Sequence, residues 1–570
     1  MSDLIREAAF GQLMRWISGK RLFRYPEEKE DFRLPPQYQL LLGEKGADGD
    51  ANEAKLDRDI TLSHVPSRAE TIPYSYERFD VEQQLEVERT KSLSIAPRQT
   101  NDGIVLVDWY TTDDQDNPLN WSDRKKSFVI FLLCFYTWVV YIGSAIYAAS
   151  EEGVMAQFGV GHTAASLPLS LYVLAYGIGP LLFAPLTEIP IIGRNSIYII
   201  TFILFFIISI PTAATNSFVA LLALRFLQGF FGSPAVANAG ASFGDVYSIM
   251  YFPYALAWWV WSAWGGPALG PLLSGFAVSA ENWHWGLWEM VWMAAPALIV
   301  LFFLLPETSA ANILLRRAQR LRKVTGSPRF QAQSEIDQKN LTARSIAVHA
   351  LIKPVQIMIQ DPAIFFANLY TALFYATYFT FFEVFPLVFP VMYGFNLGET
   401  GLAFVPCQIG ATLGLLTYFA YLRWYMIPDN KKNGLREQEH RLIPGIFGSF
   451  FFPIGLFIFA WTARSNIHWT VPILGIVLFV FGTFFILQSI FVYVPLSYPQ
   501  YAASLFAAND LTRSSFAAGS VLFARPLFVN LGVDNGVTVL ASISVLGIFG
   551  MFALYYYGAS LRARSRFAQA

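Results

Sequence analysis

Between Phe128 and Tyr557 the chain carries twelve apolar stretches. Each is close to the roughly 20 residues a helix needs to cross a hydrocarbon core. They run over 128–149, 165–187, 196–214, 217–240, 252–278 and 286–305, then 363–390, 400–422, 442–463, 470–495, 502–528 and 536–557. Backbone immersed in lipid finds no water to bond, so helices that close their own hydrogen bonds are the expected solution. The expected fold is an all-α membrane protein with two six-helix halves, 128–305 and 363–557, joined by a linker at 306–362. Composition agrees: charged residues are 14% of the chain, against about 25% in soluble proteins.

The charges are unevenly placed. Of 41 acidic residues, 24 precede Phe128, which leaves 17 for the remaining 443 positions and sets 1–127 apart as a polar tail. No apolar signal segment occurs in it. Phe10, Leu13, Met14 and Ile17 make one apolar helical face, followed by Lys20, Arg21 and Arg24. A short amphipathic helix is therefore expected near 4–18, lying on a membrane surface or against the protein's own body. From Gly43 to Asp116 periodic apolar residues are lacking, and disorder is expected for most of that stretch. A second short tail, 558–570, ends the chain.

Orientation follows from Lys and Arg in alternating loops. Linker residues 306–353 hold nine and 423–441 hold five, and the end carries Arg562, Arg564 and Arg566. Loops 150–164, 279–285 and 391–399 hold none, and Arg464 is the exception on that side. Both termini and the linker are expected in the cytoplasm. Asn120 and Asn340, each in an Asn-x-Ser/Thr sequence, fall on that side and are expected to stay unglycosylated.

Chemistry concentrates where apolar runs are interrupted. Arg225 sits inside the fourth span, sharing a helical face with Gln228, Gly229 and Gly232. An arginine at a span's centre costs about 2.5–3.5 kcal/mol, which is tolerable where it faces a bundle interior or an aqueous path. Snorkelling from a helix end is the bland alternative. Glu289, Glu383, Asn509, Asp510 and Arg513 are the other polar groups in spans, and Asp510 and Arg513 are spaced to pair with each other. Tyr141, Tyr176, Trp261, Trp264, Tyr375 and Tyr378 give spans 1, 2, 5 and 7 an aromatic character suited to an amphipathic organic compound. No G-x-x-x-x-G-K-[ST], G-x-S-x-G or H-E-x-x-H sequence is present, which argues against ATP as the direct drive and against an enzyme. The six histidines are scattered, and Cys134 and Cys407 lie in apolar runs, so no metal, cofactor or disulfide is expected. No basic stripe suggests nucleic acid.

Local sequences then become more specific. Gly179–Arg194, with Glu188 in the acidic place and Gly193–Arg194 closing it, resembles the loop signature of the major facilitator superfamily. Leu224–Gly229 resembles its span 4 motif, and Gly265-Gly266-Pro267 with Gly270-Pro271 and Gly275 its antiporter motif in span 5. Pro306-Glu307-Thr308, FFEVFP at 381–386, ASLFAANDLTRS at 503–514, PLF at 526–528, REAAFGQLMRW at 6–16 and PEE at 26–28 resemble fungal multidrug:proton antiporters of the twelve-span type. His284 between tryptophans and Asn195 after Gly-Arg depart from that pattern.

The resemblance implies proton-coupled efflux of amphipathic organic compounds across the plasma membrane by alternating access, by a monomer whose partners are substrate, protons and lipid. It assigns proton coupling to Arg225 and Glu383. Glu188 and Arg194, with Gly179 and Gly193 of the same motif, would form a charged cytoplasmic latch that Asp245 either joins or flanks as an exposed turn residue, with Gly266, Pro267, Gly270 and Pro271 in conformational coupling. Gln228, Trp261, Tyr378, Phe382 and Asn509 are candidates for the substrate cavity. Polyamine or other small-metabolite transport, and a non-transporting membrane sensor, remain the competing readings.

Overall fold

The computed structural model describes residues 2–42, 62–63, 65–69, 72, 75–338 and 352–568. Asn340, and the part of the expected disordered stretch at 43–61, lie outside them. The first half comprises Asp123–Ala145, Leu167–Glu188, Gly193–Ala214, Phe218–Gly232 (continued by Pro234–Ala237 and Ala239–Val246), Phe252–Ala280 and His284–Leu304. The second comprises Pro362–Tyr393, Val405–Tyr421, Ile443–Thr462, Thr470–Ser497, Ala502–Leu531 and Val533–Arg564. These are spans 1 to 12 in chain order. The end of the bundle that carries the linker is called the linker face, the other the far face.

Ten helical stretches among the described residues are long and apolar enough to cross a membrane. Spans 5 and 11, at 29 and 30 residues, are long enough but less apolar. Their packing gives the reason. Span 5 lies along span 8, and span 11 along span 2, so each faces the opposite half as well as lipid. Protein can solvate the Gly, Pro and Trp residues of the one and the Asn509, Asp510 and Arg513 of the other, where lipid cannot.

Span 5 shows how small residues set the spacing. A Cβ on Gly266 would lie 2.4 Å from Tyr141 Cβ and 2.8 Å from the Ile142 nitrogen. Gly266 and Gly270 therefore bring spans 1 and 5 into backbone contact inside the first half, not at the seam between halves. Gly265 and Gly275 point the other way, toward Gln408 and Leu397 of the second half. Pro267 and Pro271 lie within the same helix, where each removes a backbone donor.

The tail departs from expectation. Residues from 75 onward, assigned to disorder from sequence, form the helix Tyr76–Arg89 and the strands Ser94–Ile95 and Val105–Leu106. The second strand pairs in parallel with Phe330–Gln331 of the linker. Tyr38, Val105 and Val107 share a core with Leu315, Ala318, Leu321 and Phe330, and Trp109 packs with Ala310, Ile313 and Leu314 of the linker helix Ala310–Thr325. No periodicity betrays this core because its residues come from irregular segments and a helix some 200 positions away.

Buried charge reinforces the joint. Glu27 is 1% exposed and receives Arg320 at 3.0 Å, while Arg317 reaches Asp114 at 2.7 Å and Asp116 at 2.6 Å. Asp114, outside the spans, is opposed by burial but held below its ordinary value by the Arg317 charge and hydrogen bonds. At the start of the tail, helices Ser2–Glu7 and Ala9–Ile17 lie against span 6, with the Phe10 ring 4.5 Å from that of Phe303. Asn120 is committed as well, its amide donating to the carbonyls of Thr112 at 3.0 Å and Asp114 at 2.9 Å.

Candidate functional site

Polar side chains inside the bundle fall into three levels. At the linker face the span 2–3 turn places Gly193 at φ +74°, a conformation that favours glycine. A Cβ there would also strike the Glu307 carboxylate at 2.4 Å. That carboxylate caps span 3, accepting from the backbone N–H of Arg194 at 3.1 Å and Asn195 at 3.2 Å. With the backbone so held, Arg194 forms a forked pair with Asp245, at 2.5 Å from Nε and 3.2 Å from Nη2. Asp245 is thus its bonded partner. Glu188, the acid the motif singled out, makes no such pair and lines a crevice instead. Spacing in one loop could not show this, because Asp245 arrives from the end of span 4.

That crevice, of about 330 Å³, lies between the halves. Thr187, Glu188 and Asp245 line it from the first half, and Pro495, Tyr501 and Phe506 from the second. A larger cavity of about 990 Å³ adjoins it, walled by Glu188 and Ser504 together with tail and linker residues such as Ser67, Asp108 and Ser334.

Deeper in, spans 1, 2, 7 and 11 converge on one arginine. Arg513 and Asp510 pair on span 11, as their spacing suggested, and both are buried. Arg513 also donates to the Tyr141 hydroxyl of the first half at 3.2 Å, and its guanidinium sits 4.5 Å from the Tyr375 ring centre. The hydroxyls of Tyr176 and Tyr375 meet across the seam at 2.5 Å. Sequence picked out these tyrosines only as part of an aromatic stripe. Their pairing partners had no signal in it.

Toward the far face stand the two residues singled out for coupling. Arg225 is fully buried inside the first half. Its guanidinium donates to the carbonyls of Pro168 at 3.3 Å and Ser144 at 3.4 Å and to Gln228 Oε1 at 3.0 Å, and lies 4.4 Å from the Tyr172 ring centre. No carboxylate appears among these partners, so the arginine acts by joining spans 1, 2 and 4. Glu383 of span 7 lies within hydrogen-bond distance, 2.9 Å, of the Ser166 hydroxyl of the other half.

The remaining candidates separate. Trp261 is at the seam, its indole donating to Thr412 of span 8 at 2.9 Å. Tyr378 packs edge-on to Trp264 across the seam at 4.6 Å, and Phe382 stacks on Phe404 within the second half at 5.0 Å. Gln228 does not open to a cavity: its amide is used by Arg225 and by Ser209 at 2.7 Å. Asn509 likewise donates to Asn368 at 2.8 Å and Thr371 at 2.7 Å inside the second half. Gly179 abuts Ser233 of span 4, where a Cβ would lie 2.0 Å from its hydroxyl oxygen.

Two six-helix halves, closed on each other by spans 2 and 11 and spans 5 and 8 around buried ionisable groups, define the architecture of a two-half membrane carrier. Residues 133–521 match the Major Facilitator Superfamily, and the chain belongs to that family. It is 40% identical over 568 residues, covering 100% of both chains, to the MFS-type transporter pyvG of Aspergillus violaceofuscus. It is 38% identical over 469 residues, 81% of this chain and 85% of the relative, to fluconazole resistance protein 1 of Saccharomyces cerevisiae. Among solved structures, the human organic anion transporter MFSD10 matches in fold with a TM-score of 0.54 at 17% identity, over 75% of this chain and 99% of that one.

Proposed function

We propose that this protein exports amphipathic, largely apolar organic compounds across the plasma membrane in exchange for protons, working as a monomer. The observation that carries the reading is the seam itself. Tyr141, Tyr176 and Tyr375 of the two halves gather at one buried ion pair, Trp264 and Tyr378 pack against each other across the same seam, and a separate crevice opens between the halves at the linker face. Rings bind apolar bodies of many shapes with few directional demands, and buried ionisable groups are the usual places for a coupling ion. A relative named for fluconazole resistance supports efflux of foreign compounds. The excess of Lys and Arg at the linker face supports a cytoplasmic location for it, from which the crevice would receive substrate.

The test is export by purified protein in lipid vesicles of known orientation, with and without an imposed pH gradient. Export that rises with the gradient and collapses with a protonophore is expected. Export indifferent to both would remove the proton from the mechanism. The same assay reads specificity: alanine at Trp261 or Tyr378 should change which compounds are exported while the amount of inserted protein stays constant. An unchanged pattern at normal activity takes those rings out of the binding cavity.

A further inference from the structure

After span 1 the chain turns into the short helix Glu151–Phe158, and that turn sets Glu151 beside the start of span 2. The Ser166 hydroxyl oxygen lies 3.4 Å from Glu151 Oε2, 2.9 Å from Glu383 Oε1 of span 7, and 3.0 Å from the carbonyl of His162. Three oxygens therefore crowd a hydroxyl that owns one hydrogen and two lone pairs. If Ser166 donates to one carboxyl, the other must itself donate to be bonded. If Ser166 donates to the carbonyl, both carboxyls must donate. In either arrangement the cluster is bonded throughout its carboxyl contacts only when at least one carboxyl carries a proton.

The setting sharpens that requirement. Ser166 and Glu383 are each 2% exposed, and Glu151 Oε1 is buried with no hydrogen-bond partner among the described residues. Ionisable groups facing the pair are Glu152 from the same turn, His162 before span 2 and Arg525 from span 11, with Tyr147 and Arg225 one layer inward. With one proton on the pair, Arg525 balances the remaining carboxylate and only the Glu152 charge is left over. With none, two like charges face each other across the two halves at low dielectric.

We propose that Glu151, Ser166 and Glu383 form a proton-binding clasp that joins the far-face ends of the two halves: a shared proton holds them together and its loss releases them. This rests on the proton-driven reading above and adds to Glu383 a second carboxyl from the opposite half. The proton comes from water at the far face and is shared between Glu151, a half-buried residue, and Glu383, a buried one. A clasp closing when protonated fits an exporter that must return to its cytoplasm-open form after releasing substrate into acidic surroundings.

Spin labels at Ala156→Cys and Asn535→Cys, in a chain whose two native cysteines are replaced, would report the far-face gap in lipid vesicles without substrate. With Glu151, Ser166 and Glu383 intact, the short distance should give way to a long one between about pH 5 and about pH 8, the closed-to-open ratio falling by up to about tenfold per pH unit for one linked proton. Glu151→Gln and Glu383→Gln supply amide hydrogens that cannot be released, so each should hold the short distance across that range. Ser166→Ala keeps both carboxyls and should shift the midpoint without abolishing the transition. A distance that never responds to pH overturns the clasp, as does a transition that survives Glu151→Gln unaltered. A transition lost only in Glu383→Gln assigns the proton to one residue and equally overturns the pair. Gradient-driven export with no distance change counts against the clasp alone. A distance change in a protein that exports without a gradient counts against the proposed antiport alone.

Discussion

Replacing Arg225 with alanine is expected to bring gradient-driven export close to background while leaving folded protein in the membrane. The guanidinium makes hydrogen bonds to the Pro168 and Ser144 carbonyls and to Gln228, each from a different span. Hydrogen bonds to a charged group contribute about 1.5–3 kcal/mol each, and an orphaned carbonyl costs about 1–3 kcal/mol. Against this, removing a charge from an apolar bundle relieves its burial cost, so the net change in stability should be small. Transport is the more sensitive readout. Loss of even about 3 kcal/mol from one conformation slows a rate by roughly a hundredfold. Arg225→Lys keeps the charge but cannot fork toward three acceptors on three helices, and partial rescue at most is expected. Substrate binding in detergent should survive both changes, since Arg225 lies inside the first half and not on the seam. Normal pumping by the alanine variant would show that the tie between spans 1, 2 and 4 is not needed for transport.

The ion pair on span 11 should behave in the opposite way, costing stability first. Arg513 and Asp510 are 1% and 2% exposed, and Asp510 is the acid bonded to that arginine. Asp510→Ala leaves a sealed guanidinium with the Tyr141 hydroxyl and ring faces alone. Breaking one side of such a pair typically costs about 3–5 kcal/mol. A large drop in the thermal midpoint in detergent is therefore expected, with poor yield. Removing both charges as Asp510→Leu with Arg513→Met should recover most of that stability, because neither desolvation penalty remains. Export should stay absent in the double variant, since the charge reaching from span 11 to span 1 is gone. An Asp510→Ala protein as stable as the parent would show that the arginine finds solvent or another acid.

Run length and local spacing made some features readable in advance. Asp510 and Arg513 are three residues apart on one helix, and their bond needs nothing beyond helical geometry. Arg225 and Gln228 share the same spacing and also bond. Spacing along the chain could not rank partners that come from elsewhere in it. Arg194 takes Asp245, 51 positions on, in preference to the nearer Glu188. The arginines of the linker, counted as surface charge when orientation was judged, include Arg317 and Arg320, which are sunk in a core with tail carboxylates.

The sequence by itself made the apolar stretches and their grouping into two sets of six readable, though not every end: the last helix runs on to Arg564, through residues expected to be a tail. The stretches follow from the local cost of placing each residue in lipid. Only the tertiary structure decided which buried groups meet. Ser166 and Glu383 are 217 positions apart and Tyr176 and Tyr375 are 199 apart, and their contacts exist because the packed halves bring spans 2 and 7 to one another. It likewise decided that the tail is folded, since its few apolar residues form a core only when the linker helix supplies the other side. A residue's cost in lipid is a property of its own neighbourhood in the chain. Its partner is a property of the packed whole.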